Sequence, residues 1–96
     1  MDEDEGILEI EWDERNEGHA AAHGLTPLLV TTVAAGAPKL FANKEGRSGT
    51  HMMIGPDEGG RLWTVIMLRL GGGRWRPITG WPSTNPEARL YRQEVE

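Results

Sequence analysis

The 96-residue sequence contains no cysteine. This absence excludes disulfide bonds, thiolate zinc sites and a cysteine nucleophile, and it is typical of proteins from a reducing compartment. Long apolar runs are also lacking, since no stretch approaches the roughly 20 residues that a membrane-spanning helix needs. The acidic opening, Met1 to Glu5, lacks the basic and apolar character of a signal or transit peptide. We therefore expect a cytoplasmic protein without a membrane segment.

Aromatic residues are scarce, at six in the whole chain, and four of these are tryptophans. With 38% hydrophobic and 26% charged residues, the composition is that of a small globular domain with a modest core. The sequence shows no internal repeat and no linker. We therefore expect a single domain over residues 7–96, preceded by a flexible acidic N-terminus over residues 1–6.

Basic residues are almost absent from the start of the chain. Residues 1–17 hold nine acidic residues and one basic residue, whereas residues 18–96 hold nine basic and six acidic residues. A net charge of −8 therefore precedes one of +3. An acidic segment of this kind either keeps a small domain soluble or recognises a partner, and the sequence leaves both interpretations open.

The first half of the chain predicts one strand and two helices. Alternating apolar and polar residues over 7–12 predict a half-buried strand, and a helix is expected over 13–22. Thr26 and Pro27 predict the start of a second helix, because a hydroxyl cap precedes proline at the first helical position. Gly36 is expected to end this second helix.

The second half predicts an antiparallel meander. Its four strands are separated by turns and lie at 38–42, 50–55, 62–70 and 74–81. Pro77 removes a backbone donor from the last strand, which indicates an edge position or a bulge. Asn85 and Pro86 are expected to cap a final helix that runs to about Val95. The order β-α-α-β-β-β-β-α predicts an α+β fold, with an antiparallel sheet of four to five strands and helices packed on one face.

Short motifs follow one another in a recognisable order along residues 7–92. They are Trp12-Asp13-Glu14 with Asn16 and His19, His23-Gly24-Leu25-Thr26-Pro27, Ile54-Gly55, Gly60-Arg61-Leu62, Arg76 with Ile78-Thr79, and Glu87 with Tyr91. Together they resemble the BrnT family, small bacterial toxins of type II toxin–antitoxin systems. The resemblance implies a fold similar to RelE-type ribonucleases, RNA cleavage without a metal or cofactor, and a cognate antitoxin as partner.

One position departs from that family. The resemblance implies Ala-Arg after an Ile-Ser/Thr pair, whereas this sequence has Gly80-Trp81, so an arginine with an implied catalytic role is replaced by Trp81. The departure favours a rival hypothesis, in which the chain is a non-catalytic protein-interaction module of the same fold. A homodimer stays open, because the sequence does not fix the oligomeric state.

Metal-free cleavage of RNA needs a group that moves protons and cations that stabilise the phosphate. His51 titrates near neutrality, so we expect it to transfer the proton, with Arg47 and Arg76 at the phosphate. Other basic and aromatic side chains of the meander are expected to bind RNA, namely Arg61, Arg74 and Trp81. The alternative is structural, since arginines also protect edge strands and tryptophans also fill small cores.

Metal binding is a third hypothesis. His19 and His23 are four residues apart and could share a metal on one helix face. His51 would have to supply a third ligand, and the sequence offers neither a cysteine nor the glutamate of the metalloprotease motif. We therefore expect no metal site and no cofactor.

Overall fold

A computed structural model describes residues 7, 9–12, 24–43 and 49–95. These residues form five strands and two helices, in the order β1 (Glu9–Ile10), α1 (Pro27–Ala35), β2 (Lys39–Ala42), β3 (His51–Pro56), β4 (Leu62–Gly71), β5 (Arg74–Pro82) and α2 (Asn85–Val95). The predicted α+β class is confirmed. The helix expected over 13–22 and the acidic N-terminus over 1–6 lie outside the described residues.

The start of α1 follows directly from two residues. Thr26 has an extended backbone, and its hydroxyl accepts a hydrogen bond from the Leu29 amide at 3.1 Å, while Pro27 occupies the first turn. The helix tolerates its β-branched residues because Val30 and Val33 are completely buried. The prediction of this helix is confirmed, and burial rather than helix propensity stabilises it.

The five strands are arranged in the order β1-β5-β4-β3-β2. Strands β2 to β5 form the predicted antiparallel meander, whereas β1 pairs with β5 in the parallel direction, with Ile10 beside Trp75. The sheet is therefore mixed, and the prediction of a purely antiparallel sheet is wrong for β1. Alternation of apolar residues identifies a strand but carries no information on the direction of a distant partner.

The main core lies between α1 and one side of the sheet, which we call the front face. On this side, Met53, Val65 and Met67 are completely buried and form one apolar cluster with Val30 and Val33 of α1. The intervening residues of each strand alternate to the opposite side, the back face. Strand β4 is buried on both sides from Trp63 to Met67, as expected for a central strand.

Helix α2 packs against the back face. Its Glu87 reaches Thr64 and Trp81, which alternate with the front-face residues Val65 and Gly80 along β4 and β5. The two described helices therefore lie on opposite sides of the sheet, and the prediction that the helices share one face is wrong. The pattern of a helix shows which of its own sides is buried, but it does not show which side of the sheet it covers.

Three glycines connect β4 to β5. Gly71, Gly72 and Gly73 have positive φ angles of 100°, 65° and 80°, which residues with a side chain rarely adopt. Positive angles at both central positions are typical of the tight two-residue hairpin, whose twist matches that of the flanking strands. The turn places the last residues of β4 beside the first residues of β5.

A bulge interrupts β5 at Ile78. Pro77 and Thr79 pair with successive residues of β4, so Ile78 is an extra residue between them. Pro77 is expected to mark an edge or a bulge, and the structure confirms the bulge. The extra residue shifts the alternation by one position, which places Arg76 and Trp81 together on the back face.

Candidate functional site

Three arginines and a histidine gather at one end of the sheet, beside the β4–β5 turn. The strand registers place His51 and Arg69 on the front face there, and Arg74 and Arg76 on the back face. The side chains of Arg74 and Arg76 are 49% and 38% exposed, so both present charge to solvent. We call these four residues the cationic end.

On the back face, Arg74 and Arg76 share the carboxylate of Glu11. Arg74 Nε donates to Glu11 Oε2 at 2.6 Å, and Arg74 Nη2 lies 2.6 Å from the same oxygen. Arg76 Nη2 is 3.7 Å from Glu11 Oε1, which is too long for a hydrogen bond. Arg76 Nε is buried and has no hydrogen-bond partner among the described residues. Arg76 therefore makes no hydrogen bond to Glu11, and its 38% exposed side chain can meet a further anion.

His51 lies on the front face at the same end of the sheet. Its Nδ1 atom is 2.8 Å from Thr50 Oγ1, and its ring meets that of Trp75 edge to face, with 5.1 Å between centroids. Burial lowers the pKa of His51 below its usual 6.5, and the charge of Arg69 lowers this pKa further. The imidazole is therefore mainly neutral at pH 7, the state that can accept a proton from a 2′-hydroxyl.

The structure does not bring together all the residues predicted for catalysis. His51 and Arg76 point to opposite faces of the sheet, because their positions pair with adjacent residues of β4, Met67 and Leu68. Arg47 lies outside the described residues. The catalytic roles of all three side chains therefore stay predictions.

The residues predicted to bind RNA are also spread over the sheet. Arg74 belongs to the cationic end, whereas Arg61 precedes β4 at its far end, with its guanidinium carbon 5.3 Å from the centre of the Trp63 ring. Trp81 shares the back face with Arg76, but their partners on β4 are four residues apart, about 13 Å along the strand. Arg74 and Arg76 are therefore neighbours, and Arg61 and Trp81 are not part of the same cluster.

The indole of Trp81 donates a hydrogen bond to a carboxylate. Glu87 Oε1 accepts hydrogen bonds from Trp81 Nε1 at 3.0 Å, from Thr64 Oγ1 at 2.9 Å and from the Thr84 amide at 2.9 Å. The Glu87 amide donates to Thr84 Oγ1 at 3.4 Å, so these two residues form a reciprocal cap at the start of α2. The capping residue is thus Thr84, one position before the predicted Asn85.

The same hydrogen bonds keep Glu87 ionised. Burial raises the pKa of Glu87, but the donors on Thr84, Trp81 and Thr64 lower it more, and its pKa lies below the ordinary 4.5. Thr64 is completely buried, and its single hydroxyl proton goes to Glu87, so Ser83 must donate to Thr64 Oγ1 across their 2.8 Å contact. Glu87 therefore anchors α2 to the sheet.

Glu11 is the site residue that the sequence reasoning missed. It stands on the polar side of the alternating segment 7–12, which is the available signal that it faces away from the core. The pairing of β1 with β5 then brings it to Arg74 and Arg76. No local pattern predicts that pairing, because the two strands are far apart in the sequence.

Comparison with known proteins addresses the fold. No family model matches the sequence, and no curated protein matches it. Among solved structures, the crystal structure of the Brucella abortus ribonuclease toxin BrnT matches with a TM-score of 0.59 and 24% sequence identity, and the match covers 82% of this chain and 100% of that chain. The chain has a BrnT-like fold. The fold that the sequence motifs imply is therefore confirmed, and a likeness at this identity concerns the fold alone.

Trp81 stands beside a carboxylate, at the position where the sequence resemblance implies a cation. The sequence resemblance implies an arginine here, and the structure places the carboxylate of Glu87 at hydrogen-bond distance from the Trp81 indole. A cation at position 81 would therefore meet an anion before it met a ligand.

Metal and membrane features can be assessed only for the described part of the chain. No three metal-ligating side chains gather there, and no described helix is long and apolar enough to cross a membrane. His19 and His23 lie outside the described residues, so their shared metal stays a hypothesis.

Proposed function

We propose that this protein is the toxin component of a bacterial type II toxin–antitoxin pair, acts on RNA in the cytoplasm, and binds single-stranded RNA at its cationic end. One observation carries the proposal, namely the gathering of Arg69, Arg74 and Arg76 with His51 at one end of the sheet. The BrnT-like fold supports it, since the matching structure is that of a ribonuclease toxin. A cognate antitoxin is the proposed protein partner.

The chemistry of arginine suits this role. Each guanidinium presents a planar set of donors that matches the oxygens of a phosphate, and Arg74 and Arg76 lie two residues apart on one face of β5. A surface of this size reaches about two to four phosphates. The slope of log affinity on log salt concentration should then be roughly −1.5 to −3 for a single strand.

The test of RNA binding is fluorescence anisotropy with a labelled mixed-sequence RNA over a range of salt concentrations. Arg76→Gln should weaken binding about 3- to 10-fold and reduce the salt slope by less than about one unit. Arg61→Gln is the matched control, because it removes the same charge about 20 Å away along β4. Equal losses from the two variants would contradict a site at the cationic end.

Cleavage is the second part of the proposal. His51 would take the proton from a 2′-hydroxyl as a neutral base, with Arg69 as the cation beside it on the front face. The 2′-oxygen would then bond to phosphorus, the bond from phosphorus to the 5′-oxygen would break, and water would supply the proton for the leaving 5′-oxygen. The proposed roles of Arg47 and Arg76 are to stabilise the negative charge of RNA phosphates, as the RNA passes around the end of the sheet. Cleavage of a labelled RNA in EDTA should be lost in His51→Ala. Full EDTA-resistant cleavage by His51→Ala would remove this residue from the mechanism.

The second candidate function is a non-catalytic interaction module of the same fold. It is favoured by one observation, that Trp81 replaces the implied arginine and is held by Glu87 in the cap of α2. This module would bind the antitoxin, or a second copy of the chain, without acting on RNA. The absence of any RNA binding at low salt, with a protein that melts cooperatively, would favour the module over the ribonuclease.

A further inference from the structure

The contact between Glu11 and Arg74 has the geometry of an arginine–anion site. Both Nε and Nη2 of Arg74 lie 2.6 Å from the same carboxylate oxygen, so one side of the guanidinium is fully used. Arginine meets a phosphate oxygen with the same donors and at similar distances. The Glu11 carboxylate therefore occupies the position in which a phosphate oxygen would bind Arg74.

The Glu11 carboxylate lies farther from Arg76 than from Arg74. Arg76 Nη2 is 3.7 Å from Glu11 Oε1, and the buried Arg76 Nε has no hydrogen-bond partner among the described residues. A buried donor without an acceptor costs free energy until an acceptor arrives. A phosphate of RNA is not attached to the protein, so it can bind between the two guanidinium groups and contact both. The position of the Glu11 carboxylate is limited by its attachment to β1.

Backbone hydrogen bonds hold Glu11 in place while its side chain can leave. The Glu11 amide donates to the Trp75 carbonyl oxygen at 2.8 Å, and the Glu9 amide donates to the Gly73 carbonyl oxygen at 3.0 Å. The carboxylate can move away by rotation about side-chain bonds without any change in this pairing. The two guanidinium groups are 49% and 38% exposed, so water and salt weaken their attraction for Glu11 and a polyanion can displace it.

We propose that Arg74 and Arg76 form an anion-binding site whose internal ligand is Glu11, and that RNA phosphate must displace this carboxylate to bind. The inference rests on the proposed RNA binding and adds its regulation, because Glu11 competes with RNA for the same guanidinium groups. It also gives one residue of the acidic segment 1–17 a defined role, beyond the general repulsion of nucleic acid by negative charge.

The test compares RNA affinities of matched variants by fluorescence anisotropy. Glu11→Gln removes the charge and keeps the shape, and it should bind RNA about five-fold more tightly than the natural protein. Its salt slope should stay close to that of the natural protein, because the same phosphates are contacted once the carboxylate has been displaced or removed. Glu9→Gln removes the same charge from β1, and Glu9 forms no ion pair among the described residues, so the expected gain is less than about two-fold.

Two further variants separate a direct contact from net charge. Glu11→Asp keeps the charge but withdraws the carboxylate by one methylene, so it should give an intermediate gain. In the double variant Glu11→Gln with Arg74→Gln, the gain from Glu11→Gln should vanish, because the competition acts through Arg74. A melting curve of each variant confirms that the fold is retained.

The outcomes distinguish this inference from the function on which it rests. Equal and measurable affinities of the natural protein and Glu11→Gln would overturn the competition and leave RNA binding intact. Equal gains from Glu9→Gln and Glu11→Gln, or a gain that persists without Arg74, would overturn it as well. RNA binding by none of the proteins at low salt would overturn the proposed function itself, and the competition with it.

Discussion

Two carboxylates reach side chains of β5 on the back face, and their surroundings differ. Glu87, on α2, accepts hydrogen bonds from the neutral groups of Trp81 and Thr64 and from a backbone amide. Glu11, on β1, faces two guanidinium groups, of which Arg74 is the closer at 2.6 Å. The first carboxylate lies where a helix joins the sheet, and the second lies at the cationic end.

The difference separates a structural contact from one that resembles a ligand contact. Neutral donors in a partly buried site depend on a permanent acceptor, because water does not readily replace it. Exposed cations lose little when a partner leaves, because water and salt ions take its place. We therefore expect the Glu87 end of the back face to stabilise the fold and the Glu11 end to remain available for a ligand.

The largest expected effect is the loss of stability in Glu87→Ala. This change removes the acceptor of three hydrogen bonds and half of the cap of α2, and it leaves the buried hydroxyl of Thr64 without its acceptor. The free energy of unfolding should fall by about 2–3 kcal/mol, measured by urea denaturation.

A control for this change is Glu58→Ala. Glu58 is an exposed residue of the β3–β4 turn, so its removal should be nearly neutral. If the two variants were equally stable, Glu87 would not anchor α2, and the contrast between the two carboxylates would be lost.

Local features of this fold could be predicted from the sequence, because neighbouring residues determine them. Thr26 and Pro27 determine the start of α1, and Pro77 determines the bulge in β5. The three glycines determine the turn between β4 and β5 through their positive φ angles. Each of these features depends on the conformational limits of one or two residues.

Features that depend on distant partners could not be predicted in the same way. The parallel pairing of β1, the packing of α2 on the back face and the contact of Glu11 with Arg74 all join segments far apart in the sequence. Arg74 and Arg76 were predictable as basic residues of one strand, but the separation of His51 from Arg76 depends on which face each residue occupies. That assignment requires the sheet register, including the bulge.

The second expected effect is on the pH dependence of stability. Burial raises the pKa of Glu87, but its hydrogen bonds lower it more, so the folded-state pKa lies below 4.5. A depressed carboxyl pKa contributes its full stability above the unfolded value and loses it as the pH falls through the folded value. Stability should therefore decline below about pH 4.5, and less steeply in Glu87→Gln. Parallel acid-unfolding profiles of the two proteins would contradict this assignment.

A smaller effect is expected for RNA affinity in Trp81→Arg. The new guanidinium would lie beside Glu87 and pair with it, so RNA affinity, measured by anisotropy, should change by less than about two-fold. In the double variant Trp81→Arg with Glu87→Gln, the cation is no longer neutralised, and affinity should rise beyond that of either single variant. A large gain from Trp81→Arg alone would show that Glu87 does not control this position.

The smallest expected effect is on the stability of Glu11→Gln. The ion pair with Arg74 is short, but Arg74 is 49% exposed, and its charge is screened by water and salt when the carboxylate is removed. The backbone pairing of β1 with β5 does not involve the side chain of Glu11 and stays intact. The free energy of unfolding should therefore change by less than about 0.5 kcal/mol in urea denaturation, with Glu9→Gln as the matched control. A loss close to that of Glu87→Ala would make Glu11 a second structural anchor, and a site that RNA enters by displacing it would then be too costly to open.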